Sequence, residues 1–461
     1  MGAFQKCLSP DCGATFDIGQ VLHACPRCGD LLDVRYEWDK AALPKKLNSF
    51  SERLTHYPDE LDFSGVWRFR ELLDFVPRDS IITIGEGRTQ LRRSKGVAAY
   101  VSMKPETLFL QYEGLNPSGS FKDNGMTAAF SHARFVGAKV AACASTGNTS
   151  ASLACFAAQS ELLKAVVFVG SGKVSYSKLS QTLDYGATTV EIEGDFDDAM
   201  KRVREICTGT GIYLMNSLNP CRLEGQKAII YRILEGLKWE VPDWIVLPGG
   251  NLGNTSAFGK ALAELRDLGY LKRLPRLAVV NAAGADTLYH LFTEESLRWQ
   301  DGRTDSKRID EYFAEMDRAN RRAHTLASAI QINRPVNLKK ALRSLADTNG
   351  VVTVASDEEI LDAKAVIGAS GLGCEPASAA SVAGLKRLRE QGVIAASDVV
   401  ACVLTGHQLK DAAATLLYHS PDSSEELARY GIKRRSFGKP PVRVPNDIDK
   451  ILGVVRPLLG V

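Results

Sequence analysis

The chain has no apolar run approaching the 18 or so residues that cross a membrane, so no spanning helix is expected. It has little excess charge. Its 57 basic and 54 acidic side chains leave +3, which points to neither nucleic acid nor a membrane surface as partner. Cysteine is sparse: ten in 461 residues are too few for a disulfide scaffold, and six of them are scattered through apolar surroundings. The first 30 residues lack a basic start followed by an apolar run, so no signal peptide is expected and the chain reads as cytoplasmic. Tandem repeats and low-complexity segments are missing too. What remains is an ordinary soluble composition, 45% apolar and 24% charged, in a chain long enough for two or three domains.

The most informative stretch is residues 114–126, Gly-Leu-Asn-Pro-Ser-Gly-Ser-Phe-Lys-Asp-Asn-Gly-Met. Turn chemistry (Asn116-Pro117, Ser118-Gly119) leads into a helix predicted over Asp123 to Phe135, with Lys122 at its start. A cation there opposes the positive end of the helix dipole, at a cost of a few tenths of a kcal/mol up to about 1. The position becomes useful if the amine must be neutral at working pH, because cationic surroundings lower a lysine pKa. A neutral amine condenses with an aldehyde. Taken alone, such a lysine is a surface residue beside a loop; its company decides.

Near the amino terminus Cys7, Cys12, Cys25 and Cys28 follow a C-x4-C-x12-C-x2-C spacing, with Gly13 and Gly29 after the second cysteine of each pair. Two such knuckles close a tetrahedral thiolate site around structural zinc, or survive as four reduced thiols without metal. Against a nucleic-acid reader stands the local charge. Lys6, Arg27 and Arg35 face Asp11, Asp17, Asp30, Asp33, Glu37 and Asp39, a balance that repels phosphates.

Beyond Lys122, strands predicted at Ala165 to Val169, Thr188 to Ile192, Trp244 to Leu247 and Val399 to Leu404 alternate with helical stretches. Thr149 to Gln159, Asp197 to Cys207 and Arg222 to Leu237 are the clearest of these. That order argues for an α/β fold with parallel sheet. The charged stretch 295–325 is expected to be a solvated insertion.

Four polar segments fall at strand-to-helix junctions, where α/β proteins build sites. Residues 144–150, Ala-Ser-Thr-Gly-Asn-Thr-Ser, surround a helix start able to hold a carboxylate. Residues 248–255, Pro-Gly-Gly-Asn-Leu-Gly-Asn-Thr, let several backbone N–H groups converge on one anion. They fit neither a dinucleotide fingerprint nor a Walker loop, since no lysine follows the last glycine. Thr405-Gly406-His407 ends an apolar strand, and a loop histidine of this kind is usually idle. Residues 216–227 carry Arg222, whose guanidinium suits two phosphate oxygens.

The Asn-Pro-Ser-Gly-Ser-Phe-Lys-Asp run resembles the pyridoxal phosphate (PLP) lysine loop of the threonine synthases, within the tryptophan synthase β-like enzymes. The likeness extends from the cysteine knuckle, through Gly-Glu-Gly-Arg-Thr-Gln-Leu at 85–91, to Asp411. It departs at Asn124, where that family usually has Arg or Leu. The resemblance implies fold type II, with two α/β domains behind a small knuckle: residues 1–38, then 39–135 with 220–461, and a smaller domain at 136–219. It makes Lys122 the catalytic and cofactor-bearing lysine. Asn148 would bond the ring oxygen, Gly249, Gly250, Asn251, Leu252, Gly253 and Asn254 the cofactor phosphate, and Thr405 the ring nitrogen. Thr146 and Thr149 would serve the substrate carboxylate; Asn216, Ser217 and Arg222 would grip the phosphate of O-phospho-L-homoserine, the small-molecule partner. L-Threonine would be the product, and a homodimer the assembly. A threonine or serine dehydratase of the same fold is the rival, and has no use for a second phosphate site. An inert zinc-ribbon regulator is the rival outside enzymes.

Overall fold

A computed structural model describes residues 2–55, 59–170, 176–193, 202–203, 205–207 and 210–459. Among these, no helix is long and apolar enough to cross a membrane. The strands in chain order are β1 (Ala3–Cys7), β2 (Thr15–Asp17), β3 (Leu32–Tyr36), β4 (Gln90–Arg92), β5 (Leu108–Tyr112) and β6 (Val140–Ala144). They continue with β7 (Lys164–Gly170), β8 (Thr188–Ile192), β9 (Tyr213–Leu214), β10 (Trp244–Pro248), β11 (Arg276–Ala282), β12 (Val351–Ala355) and β13 (Val400–Leu404). They make three sheets. A small antiparallel one, β2-β1-β3, carries the cysteine knuckle. A six-stranded sheet runs β12-β11-β10-β13-β5-β4, parallel except for β4 on its edge. A four-stranded parallel sheet runs β8-β7-β6-β9.

The predicted strands stand within a residue of their expected ends, and those of the six-stranded sheet are apolar on both faces, as parallel sheets covered on both sides require. Along β10, Ile245 and Leu247 join one core while Trp244 and Val246 join the other. The Ala141 and Cys143 side of β6 packs on Met126 and Phe130 of the helix Lys122–Phe135. The four-stranded sheet is thereby fixed to the element that bears the lysine. Much of the helix expected over 197–207 lies outside the described residues; 202–203 and 205–207 are helical.

Two expectations need correction. The helix predicted over Arg222 to Leu237 begins earlier, at Pro220, because Asn219 Oδ1 caps the Arg222 N–H at 3.1 Å and proline suits the first turn. It is interrupted at Lys227, so Pro220–Gln226 and Ala228–Gly236 are separate helices. The stretch 295–325 is more than a solvated insertion. Ser306–Arg318 is an amphipathic helix whose Ile309, Tyr312 and Met316 enter the main core, while most of its charges stay exposed.

The knuckle is held on the body by charge. Asp33 of β3 meets Lys340 at 3.0 Å and Arg343 at 2.6 Å, and Tyr36 Oη donates to Glu224 Oε2 at 2.5 Å.

The contact that builds the site is between the helices Lys122–Phe135 and Pro220–Gln226, and it depends on two glycines. A Cβ on Gly225 would stand 1.8 Å from Asn124 O, and one on Gly125 would stand 2.8 Å from Arg222 Cγ. No larger residue fits at either place without moving its neighbours. The close approach sets Lys122 and Arg222 on neighbouring turns of two touching helices.

Candidate active site

The loop before Lys122 is fixed by its own side chains. Asp123 accepts from Ser118 N at 2.7 Å and Ser118 Oγ at 2.6 Å, and Ser152 reaches the same carboxyl from the helix Asn148–Ser160. Burial nonetheless raises the Asp123 pKa to about 6. Asn116 Oδ1 takes the Gly87 N–H at 2.8 Å, which ties the Gly-Glu-Gly segment to the loop. Phe121 N donates to Thr405 O at 2.8 Å, and His407 N to Gly119 O at 2.8 Å. The lysine loop and the end of β13, far apart in sequence, are therefore one hydrogen-bonded unit.

Lys122 is half-buried, its amine 3.9 Å from the centre of the Phe121 ring. Its pKa falls from 10.5 to about 7, chiefly through loss of hydration and then through the positive charge of Arg222, with Glu375 opposing. Among the described residues, no carboxylate lies within ion-pair distance of either cation. Arg222 is buried; its Nη1 donates to Met215 O at 2.8 Å and its Nη2 reaches Thr149 Oγ1 at 3.4 Å. Its Nε has no partner. Burial draws its pKa down to about 10, so the guanidinium keeps its charge at neutral pH.

The 248–255 loop ends β10 and opens the helix Gly253–Asp267 through Leu252, whose φ of 61° is left-handed. Gly249 is spent on the sheet: its N–H donates to Val280 O and its carbonyl accepts from Asn281 Nδ2, both at 2.7 Å. The N–H groups of residues 250–255 have no protein acceptor among the described residues, and the buried Thr255 hydroxyl is likewise unpartnered. A cluster of free donors at a helix start is the chemistry of an anion cup. That cup fits a phosphate monoester such as the cofactor's.

Side chains join this cup to the other segments. Gln226 donates to Asn254 Oδ1 at 2.9 Å and would touch a Cβ on Gly125 at 3.3 Å. Asn337 Nδ2 bridges Ser217 O at 3.0 Å and Asn251 O at 3.3 Å. The 216–222 and 250–255 segments are thus one side chain away from each other and from the lysine helix.

Asn216 is also tied to the sheet. Its amide exchanges hydrogen bonds with Ala144 N and Ala144 O, both at 3.0 Å, so it ties β6 to the 216–222 segment while keeping one N–H and one lone pair. Thr146 and Ser217 are half-buried, and Thr149 sits beside Arg222. His407 caps the turn after it by accepting the Leu409 N–H at 3.2 Å. Asn148 and Thr405 both reach a residue that sequence reasoning missed, Glu375. Its only signal was a glutamate directly before a proline that opens a helix, Cys-Glu-Pro at 374–376. At the knuckle the four cysteine sulfurs lie within 4.8 Å of one another.

Residues 82–406 match the family described as pyridoxal-phosphate dependent enzyme. The chain is 37% identical over 413 residues to threonine synthase of Methanocaldococcus jannaschii, covering 89% of this chain and 94% of that one. It is 39% identical to threonine synthase of Methanosarcina acetivorans (88% and 92% covered) and 33% identical to the chloroplastic threonine synthase 2 of Arabidopsis thaliana (98% and 84% covered). Among solved structures, processed threonine deaminase isoform 2 of Solanum lycopersicum superposes with a TM-score of 0.56 at 15% identity, covering 78% of this chain and 93% of that one. Cysteine synthase of Entamoeba histolytica gives 0.56 at 18%, with 76% and 90% covered. These structural likenesses establish the fold, type II of the pyridoxal-phosphate enzymes. The sequence relatives show that the chain belongs to the threonine synthase family.

Proposed function

We propose that this enzyme converts O-phospho-L-homoserine and water to L-threonine and phosphate. The observation that carries the reading is the buried Arg222, a permanent cation with an unpartnered Nε, with no carboxylate in reach among the described residues, and on a helix touching that of Lys122. A dehydratase would have no need of it.

Pyridoxal phosphate, bound through Lys122, supplies the electron sink that makes Cα and Cβ of the substrate acidic. Its phosphate is assigned to the N–H groups of residues 250–254 with the Thr255 hydroxyl, its ring oxygen to Asn148 and its ring nitrogen to Thr405. Lys122 Nζ takes protons at Cα and Cβ, a task suited to an amine whose pKa lies near working pH. Phosphate leaves from Cγ with the C–O bonding pair, and Arg222, aided by Thr149 and Ser217, neutralises the charge it gains. Of the two protons removed, one goes to Cγ and the other returns to Cα through Nζ, while water adds its hydroxyl at Cβ and its proton ends on the released phosphate. The free N–H groups at the start of the helix Asn148–Ser160, with Thr146, hold the substrate carboxylate.

The knuckle is assigned one structural zinc ion on Cys7, Cys12, Cys25 and Cys28. Tetrahedral thiolates with zinc–sulfur bonds of about 2.3 Å stand roughly 3.8 Å apart, and Cys7–Cys28 and Cys12–Cys25 are 3.4 and 3.7 Å apart. All ten cysteines are free, which suits a reducing cytoplasm. Homodimerisation is supported by exposed apolar side chains near the carboxyl end, among them Val442, Ile448 and Leu458.

Four outcomes are expected. Capture of added pyridoxal 5'-phosphate by cofactor-free protein, trapped with borohydride, should rise with pH through about 7, because only the neutral amine attacks. Lys122→Ala should abolish both the capture and the visible band; an onset near 10.5 would contradict the burial effect. Arg222→Ala should raise KM for phosphohomoserine about ten-fold or more, one charged contact being worth about 1.5–3 kcal/mol; an unchanged KM would favour the dehydratase. Metal analysis should find about one zinc per chain, and a metal-free purified protein with all four thiols titratable would remove zinc from the account.

A further inference from the structure

Glu375 is not used by the reading above, yet it lies where the parts of the site meet. It is buried at the start of the helix Pro376–Glu390. Asn148 Nδ2 donates to its two oxygens at 3.1 and 3.0 Å, and Thr405 Oγ1 lies 3.4 Å from Oε1. Asn148 opens the helix that follows β6 in the four-stranded sheet, whereas Thr405 follows β13 in the six-stranded one. One carboxyl therefore holds a group from each sheet. Gly406 makes room for it, since a Cβ there would stand 2.5 Å from Oε1. Ser378 completes the arrangement, with its Oγ 2.9 Å from Thr405 Oγ1 and accepting the Gly406 N–H at 2.8 Å.

We propose that Glu375 is a positioning residue for the cofactor ring, orienting the Asn148 amide and the Thr405 hydroxyl through one shared carboxyl. The inference rests on the assignment of those two residues to the cofactor. An acceptor-only carboxylate turns the NH2 of Asn148 toward itself and leaves Asn148 Oδ1 free to receive the proton of a ring hydroxyl. It also competes for the single Thr405 proton, and so governs what that hydroxyl presents to a ring nitrogen. The charged and titratable groups around it are Lys122 at the start of the helix Lys122–Phe135, Lys410 and Asp411 in the turn after β13, and the adjoining Cys374 thiol. Burial raises the Glu375 pKa, while the Asn148 hydrogen bond and the two lysines oppose that rise.

The test is cofactor titration of Glu375→Gln and Glu375→Asp, followed by visible absorbance across pH. Glutamine keeps the shape but replaces one of the two oxygens that Asn148 Nδ2 meets by an NH2, so one of those two hydrogen bonds is lost whichever way the new amide turns. Glu375→Gln should weaken pyridoxal 5'-phosphate binding about ten-fold and displace the band or its pH midpoint, at an unchanged circular dichroism spectrum; Glu375→Asp should fall between. A purely structural carboxyl would change melting without moving the spectrum. Wild-type affinity and band in both variants would overturn the inference. If Glu375→Gln fails to fold, Glu375→Asp decides the matter on the same readings. Failure of the wild-type chain to bind the cofactor would instead overturn the reading beneath it.

Discussion

Burying a cation without a counter-charge is the constraint around which this molecule is arranged. Several other buried cations are paired: Arg232 with Glu113 at 2.7 Å, Lys227 with Glu224 and Glu264 at 2.7 Å, Lys340 with Asp33 at 3.0 Å. Lys122 and Arg222 are not. Removing an ion from water costs several kcal/mol even after relaxation, and the two side chains meet that cost differently. Lysine sheds its proton near neutral pH and becomes a nucleophile and base. Arginine cannot, so its charge persists as an unfilled demand for an anion. The pair is thus an amine of lowered pKa beside a guanidinium that keeps its charge.

The rest of the fold maintains that juxtaposition. Gly125 and Gly225 bring the two helices to backbone contact, Gln226 links them to the cup at 250–255, and Asn337 links that cup to Ser217. Behind the lysine loop stands a buried polar layer. Arg232 bonds Glu113 and the Gly65 carbonyl, Gln111 and Thr89 share Glu113, and Asn116 and Asn124 take its other oxygen. Asn124, the departure from the family pattern, is therefore part of the loop's support. Shared hydrogen bonds of this kind hold the loop before Lys122 in one conformation.

Much of this was legible in the sequence because the informative signals are local. A turn-rich loop leads into a helix that begins at Lys122, a glycine run stands between strand and helix at 249–253, and strand alternation marked the parallel sheets. What was not legible depends on partners brought from elsewhere. Glu375 looked like an ordinary helix-start residue, and only folding sets it against Asn148 and Thr405. Nor could the sequence show that β6 would place the Ala144 backbone across from Asn216. The 295–325 stretch was judged by its charges, whereas the helical seam of Ile309, Tyr312 and Met316 decides its packing.

The most direct test is turnover of O-phospho-L-homoserine by the cofactor-loaded chain in oxygen-18 water. Inorganic phosphate and L-threonine should form in equal amounts, with the label in the threonine hydroxyl. Release of ammonia and a 2-oxo acid from threonine or serine, with no phosphate from phosphohomoserine, would contradict the account.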